Sequence, residues 1–419
     1  MELGKSSLEH SPILRPPQGL SGAAQGTPWS VVESLSCGAM KVGIVVPYSW
    51  SFWGAVNEHA ELQSEALREL GVEVKTIMGN DPPGSFTRVL HPRLGRHELP
   101  PADVIPVGRS VIVPANGSLP NIVLSPRAFF RVRAALEREQ FDVLHLHEPL
   151  TPAIGVAALA VARCPIVATF HASGDLGWMR WATPVWGFLA DRIDHRIAVS
   201  DGARDSAARW LPGAYEVIPN GVLVPPQADP EGRAHRIVFV GRHEPRKGLA
   251  VLLRAWPDVR RATGAELHVV GADPLAVSLL VRRLGIDTNG MRCLGFLSQD
   301  ELTRELLTAK ALVAPSLGGE SFGMVLTRAF ACSLPVVASD IPGYRDVMTR
   351  ETGISVAPGD PASLVEGVAA LLEDEPHRVA AGVAARELAQ ERYAWGAIAE
   401  RLLGIYELVT GTARAKVPR

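Results

Sequence analysis

Ile237-Val238-Phe239-Val240-Gly241-Arg242-His243-Glu244-Pro245-Arg246-Lys247-Gly248 is the stretch that decides the fold. A short β-branched and aromatic run ends at a glycine, basic side chains follow, and a helical stretch opens after Gly248. This is the strand, turn and helix that start an α/β unit, with cations at the carboxyl end of the strand, where open α/β sheets take their ligands. Short apolar runs recur at Leu267 to Val270, Ala311 to Ala314 and Pro335 to Ala338, separated by helix-length segments. The second half therefore reads as a doubly wound parallel sheet.

Upstream, Leu223 to Arg236 carries Pro225, Pro226, Pro230 and Gly232 without periodicity and reads as a linker. Before it the same pattern appears once more. Val42 to Val46 is a continuous apolar run, Gly54 opens a helical stretch to Leu70, and Gly71 ends it before Val72 to Ile77. Further runs follow at Val143 to Leu146, Ile166 to Phe170, Ile197 to Val199 and Val217 to Ile218. The expectation is an α/β protein of two Rossmann-like, doubly wound parallel-sheet domains facing a central cleft, over residues 40–222 and 237–393. Ile398, Leu402, Ile405 and Leu408 have helical spacing, so residues 394–410 read as a packed helix. Residues 1–39, rich in Pro, Ser and Gly, read as a disordered tail.

With 419 residues, two domains are the natural division. The chain is 47% hydrophobic and 21% charged with a formal net charge of -2, which excludes a general nucleic-acid binder. Its four cysteines form no CxxC pair, so neither a zinc site nor a disulfide framework is indicated and a cytoplasmic location fits. The apolar stretch Ile154 to Ala162 falls well short of the ~20 residues a membrane span needs. Ser125-Pro126 starts a helix with Arg127, Arg131 and Arg138 on one face and Phe129, Val132 and Leu136 on the other. That arginine stripe is either a solvated face or a contact for an anionic membrane surface, peripheral on the inner face of the plasma membrane.

Arg242 offers a planar fork of donors and Lys247 a mobile point charge, so together they suit a diphosphate and its departure; the alternative is a solvated loop in which Glu244 pairs a neighbour. Leu317-Gly318-Gly319-Glu320-Ser321-Phe322-Gly323 precedes another helix, whose first N–H groups favour an anion, while Glu320 can accept from sugar hydroxyls. An ordinary glycine turn is the plainer reading. Gly54-Ala55 is a third, weaker phosphate loop. His171, ending the run Ile166 to Phe170, would project from a strand end into the cleft, although a lone histidine is more often structural. There is no Asp-x-Asp, so no divalent metal is expected at a nucleotide diphosphate, and no GxGxxG or GxxxxGK[ST], which disfavours dinucleotide oxidoreductases and P-loop NTPases.

Taken in order, Gly54, Ala-Thr-Phe-His171, Ile218-Pro219-Asn220-Gly221-Val222, Gly241-Arg242 with Lys247, and Gly318 to Gly323 resemble the family-4 retaining glycosyltransferases of the glycosyltransferase-B fold. The likeness covers residues 40 to about 410. Within that family Val46-Pro47-Tyr48-Ser49, Asp142 to Pro149 and Ala198-Val199-Ser200-Asp201 are similar to segments of the actinobacterial phosphatidylinositol mannosyltransferases, which use GDP-mannose. The resemblance implies that Arg242 and Lys247 hold the donor diphosphate. Gly319, Glu320, Ser321, Phe322 and Gly323 would hold donor sugar and phosphate, with Gly54 and Ala55 contributing from the other domain. His171 would lie between donor and acceptor, Tyr48 and Asn57 would meet the acceptor, and the helix 394–410 would cross back onto the first domain. It implies a nucleotide sugar as donor, no tightly bound cofactor, and a lipid-linked or polyol acceptor; a UDP-sugar enzyme or a non-catalytic nucleotide-sugar-binding homologue are the alternatives. The chain departs from the pattern at Ala55, where the family has glycine, at Leu119-Pro120-Asn121, which lacks an arginine, and at Arg328, where the family places a ribose-binding glutamate and where the arginine is expected to bind the nucleotide by adding its charge to Arg242 and Lys247 at the diphosphate.

Overall fold

The computed structural model describes residues 39–52, 54–84, 87, 99–113, 121–173, 184 and 187–416. The expected tail up to Gly38 and the acceptor segment from Asn116 to Pro120 lie outside the described residues.

The first sheet contains β1 Lys41–Ser49, β2 Glu73–Gly79, β3 Val104–Pro106, β4 Ser110–Ile112, β5 Asn121–Val123, β6 Val143–His147, β7 Ile166–Phe170, β8 His195–Ala198 and β9 Glu216–Val217. Its main path runs β3-β2-β1-β6-β7-β8-β9, parallel throughout, while β5 pairs antiparallel with β1 at Tyr48 and Ile122 and with β4. The second sheet contains β10 Arg236–Val240, β11 Glu266–Val270, β12 Met291–Gly295, β13 Ala311–Ala314, β14 Val336–Ser339 and β15 Gly353–Val356. These run parallel in the order β12-β11-β10-β13-β14-β15. Each sheet reverses its winding beside its first strand, and the crevice outside the carboxyl ends there is where a ligand fits. Helices cover both faces, which explains the unbroken apolar runs: every residue of β13 and β14 is buried.

Local signals set the helix ends. The helix Ala55–Glu69 follows Gly54 and closes before Gly71, whose φ is +83°. The helix Pro126–Glu139 has proline in its first turn and ends at Gln140 in the left-handed region.

The proline-rich stretch from Leu223 to His235 crosses between the sheets but is firmly tied to the second one. The Arg233 guanidinium is buried and donates to the carbonyls of Leu306 and Ala309 at 3.0 Å and of Cys332 at 2.6 Å; burial lowers its pKa to about 10. The C-terminal helix Trp395–Lys416 returns to the first sheet. Trp395, Ile398, Leu402 and Tyr406 are buried there with Val42, Ile44 and Leu67. None of the described helices is long and apolar enough to cross a membrane.

Candidate active site

The loops after β10 and β13 meet because Gly248 lies in the left-handed region at φ +70°; a Cβ there would stand 1.8 Å from the Pro315 carbonyl oxygen. That contact brings the octapeptide onto the glycine loop, and the Leu317 amide donates to the Arg246 carbonyl at 2.7 Å. At the junction Glu320 Oε1 accepts Lys247 Nζ at 2.7 Å, Arg246 at 3.0 Å and Ser316 Oγ at 3.2 Å. Arg246 also meets Glu244 at 3.0 Å, and Arg242 reaches the other Glu244 oxygen at 2.9 Å. The result is a chain of charges, Arg242, Glu244, Arg246, Glu320 and Lys247, with cations in excess by one. Arg246 was not singled out from the sequence. Its place inside the octapeptide was the available signal.

The glycine loop combines two tasks. Gly318, Gly319 and Gly323 have positive φ, and a Cβ on Gly323 would press to 2.9 Å from the Tyr344 ring. The helix Met324–Ala331 follows, with the Leu326 amide donating to the Gly323 carbonyl at 2.8 Å and the Met324 and Val325 amides preceding the first intrahelical bond. On its other side the loop fastens the domains. Ser173 Oγ donates to the Glu320 carbonyl at 3.4 Å, Ser200 Oγ to the Ser321 carbonyl at 2.5 Å, and the Ser173 amide to Ser321 Oγ at 3.2 Å. Phe322 is buried edge-on against Tyr393 at 5.7 Å. The side chains of Ser321 and Phe322 are thus used for packing and fastening.

In the first domain Gly54 is extended at φ -164° and a Cβ there would meet only open space. Ala55 is the first helical residue and exposed, so its methyl is accommodated without strain. Asn57 is buried and its amide donates to the Ser49 and Phe52 carbonyls at 2.8 and 2.9 Å, stapling the turn after β1. Half-buried Tyr48 closes β1, and burial, then the nearby Glu148 charge, push its phenol above the usual range.

His171 follows β7, with its ring Nε2 2.8 Å from His147 Nδ1. Burial, then the neighbouring imidazoles, hold its pKa well below the usual histidine value, so the ring is neutral. Its backbone is fixed by Glu148, whose Oε1 accepts from the amides of His171 and Ala172 at 2.9 Å each. Glu148 itself has φ +49°, a conformation that a residue with a side chain adopts at a cost of about 1 kcal/mol or more. His145 stacks on His147 at 4.9 Å and meets Thr169 Oγ1 at 2.7 Å and the Tyr406 hydroxyl at 2.6 Å. His59, His145, His147 and Glu148 were not picked out from the sequence. The alternation His145-Leu146-His147 at the end of a strand, which puts both rings on one face, was a legible sign.

Arg328 stands apart from Arg242 and Lys247. It forms an ion pair with Glu58 of the helix Ala55–Glu69, which Gln299 also contacts, so this pair bridges the two domains. A cavity of about 400 Å³ lies at the crossover between domains, lined by Val199, Asp201, Pro219, Phe322, Tyr393 and Arg401 among others, and Arg242, Arg246 and Lys247 do not line it. The charge chemistry, rather than this cavity, marks the candidate site.

Comparison with known proteins identifies the family and the fold. Residues 56–224 match the model described as Glycosyltransferase Family 4, and residues 234–374 that described as Glycosyl transferases group 1. The chain is 35% identical over 394 residues to a phosphatidyl-myo-inositol mannosyltransferase of Mycobacterium leprae, covering 90% of this chain and 99% of that protein. It is 36% identical over 324 residues to the Propionibacterium freudenreichii protein of the same name, covering 75% and 81%. Among solved structures, sucrose-phosphate synthase from Thermosynechococcus elongatus aligns with a TM-score of 0.67 at 19% identity, over 89% of this chain and 100% of that one. Anabaena HepE in complex with UDP and glucose aligns at 0.65, with 19% identity and coverage of 87% and 99%.

Proposed function

This chain belongs to glycosyltransferase family 4 and is a glycosyltransferase of the glycosyltransferase-B fold, and from that premise we propose that it moves mannose from GDP-mannose to the inositol headgroup of a phosphatidylinositol-like lipid, with retention of configuration. The observation that carries the donor half of this reading is the gathering of Arg246 and Lys247 on Glu320, with Arg242 one carboxylate away. An arriving diphosphate takes over these cations, which then stabilise the charge that builds on the leaving group in the transition state. Glu320, released from them, accepts from donor-sugar hydroxyls, and the N-terminus of the helix Met324–Ala331 faces the phosphate.

The acceptor half rests on the names of the relatives and on the far side of the cleft. Neutral His171, locked by His147 and Glu148, lies at the carboxyl end of β7, where it can bind an acceptor hydroxyl. Retention proceeds by a front-face route in which a donor phosphate oxygen takes the acceptor proton, so no paired carboxylates are required. Arg127 and Arg131, both exposed, bring the protein to an anionic membrane where such a lipid resides.

A UDP-sugar donor is the second reading, favoured by the UDP-bound structural neighbour. The test is a panel of GDP- and UDP-sugars against vesicles with and without phosphatidylinositol, with lipid products read by mass spectrometry. A hexosylated phosphatidylinositol formed from GDP-mannose is expected; the same product from a UDP-sugar alone would select the second reading, and donor binding without any product would select a non-catalytic homologue.

A further inference from the structure

We propose that His59, His147 and His171 together form a binding site for a divalent transition-metal ion of the zinc class, separate from the donor diphosphate cations. The three side chains come from three elements that the β1-β6-β7 order sets side by side: the helix Ala55–Glu69, the end of β6 and the residue after β7. They are only 4%, 0% and 9% exposed, and one ligand-capable atom from each lies within 4.8 Å of the others.

The ring arrangement fits a shared centre. Ring centroids are 5.3 Å apart for His59 and His147, 4.9 Å for His59 and His171, and 5.1 Å for His147 and His171. A tetrahedral ion with Zn–N bonds of about 2.0–2.1 Å puts the centroids of two ligating imidazoles roughly 5.2 Å apart. The interplanar angles of 73°, 79° and 35° show that the three rings do not form a parallel stack.

A second observation is independent of these distances. His59 Nδ1 is a buried ring nitrogen without a hydrogen-bond partner. A polar atom left in that state costs about 1–3 kcal/mol. An ion would give this ring the partner that the protein does not supply.

The donor set selects the ion. Imidazole nitrogens without an oxygen-rich cage suit Zn²⁺, Co²⁺ or Ni²⁺ rather than Mg²⁺ or Ca²⁺. Neutral rings each carry one N–H, so a shift of tautomer frees the ligating nitrogen and no proton need leave the protein. The hydrogen bond between His147 Nδ1 and His171 Nε2 at 2.8 Å gives way to two bonds to the ion, and a fourth position stays open to water or another oxygen ligand. The ion would tie the first helix, which carries Asn57 and Glu58, to the strand ends.

The experiment uses tag-free, full-length protein freed of metal by chelation and titrated with Co²⁺, followed by visible absorption and by calorimetry. One ion per chain is expected, with an intense tetrahedral d–d band that Zn²⁺ abolishes and a higher melting temperature in its presence. His59→Gln and His147→Gln should each weaken binding by about 100-fold or more, while His235→Gln, at an exposed ring far along the chain, should not change it. Absence of a saturable band in the parent overturns the proposal, whether or not the variants fold. Equal affinity in the parent and in folded His59→Gln and His147→Gln proteins also overturns it.

Discussion

Lys247 Nζ stands 2.7 Å from Glu320 Oε1, and Arg246 reaches the same oxygen at 3.0 Å. One carboxylate therefore holds in place the cations proposed for the donor diphosphate. Glu320→Gln should leave them unneutralised, raising GDP affinity by up to about fivefold. Turnover should nonetheless fall by about 10²-fold, because the amide makes weaker bonds to the sugar at the transition state. Calorimetry with GDP and initial-rate kinetics on the same variant check both halves. A loss of GDP affinity would count against this arrangement.

Arg328 and Glu58 pair across the domains, with Gln299 beside them. Arg328→Glu should place like charges together and lower stability by about 1–3 kcal/mol, discounted for the pair's partial exposure. Adding Glu58→Arg should restore most of that loss. Urea denaturation of the two single variants and the double variant forms the test cycle; purely additive losses would mean that the pair carries no coupling.

The sheets were legible because parallel strands covered on both faces must be written as short apolar runs, as in β13 and β14. Gly71 and Pro126 marked helix ends through backbone conformation alone. Arg242, Lys247 and Glu320 were legible as cations and a carboxylate at strand ends. What the sequence hid depends on long-range packing. That Arg328 meets Glu58, 270 positions away, follows from how the two domains come together. His59 and His171 look isolated along the chain, and only the β1-β6-β7 adjacency brings them to His147. Arg233 looked like part of a loose linker, yet its buried bonds are to carbonyls of helices and turns that no local pattern reveals.

Glu139 binds Lys75 at 2.6 Å, Lys41 at 3.1 Å and Arg138 at 2.9 Å, tying the ends of β1, β2 and the helix Pro126–Glu139. The Lys75 hydrogen bond first, then those of Lys41 and Arg138, outweigh burial and hold its pKa at about 2, below the usual 4.5. A carboxylate depressed on folding stabilises the protein fully above the unfolded value and loses that contribution as pH falls toward the folded one. Glu139→Gln should therefore be less stable by roughly 1–3 kcal/mol at pH 7, with the gap from the parent narrowing as pH falls below 4.5. Parallel urea titrations at several pH values check the sign; a gap that widens on acidification would refute it.

Arg127 and Arg131 are exposed beside Phe130, which is 69% exposed, whereas Arg138 is engaged by Glu139. Changing Arg127 and Arg131 to Ser should weaken binding to phosphatidylserine-containing vesicles in co-sedimentation by about 1 kcal/mol for each charge, roughly 30-fold for the two. Arg138→Ser should matter less. Unchanged binding in the double variant would make this helix a merely solvated face.

The measurement closest to the central claim is the affinity of GDP, titrated calorimetrically into the parent and Lys247→Met, with guanosine as the control. If the diphosphate takes over the cations gathered on Glu320, losing one charge-assisted contact of about 1.5–3 kcal/mol should weaken GDP by about 10- to 150-fold and leave guanosine unchanged. Equal GDP affinity in the two proteins would contradict the account and move the donor diphosphate elsewhere in the cleft.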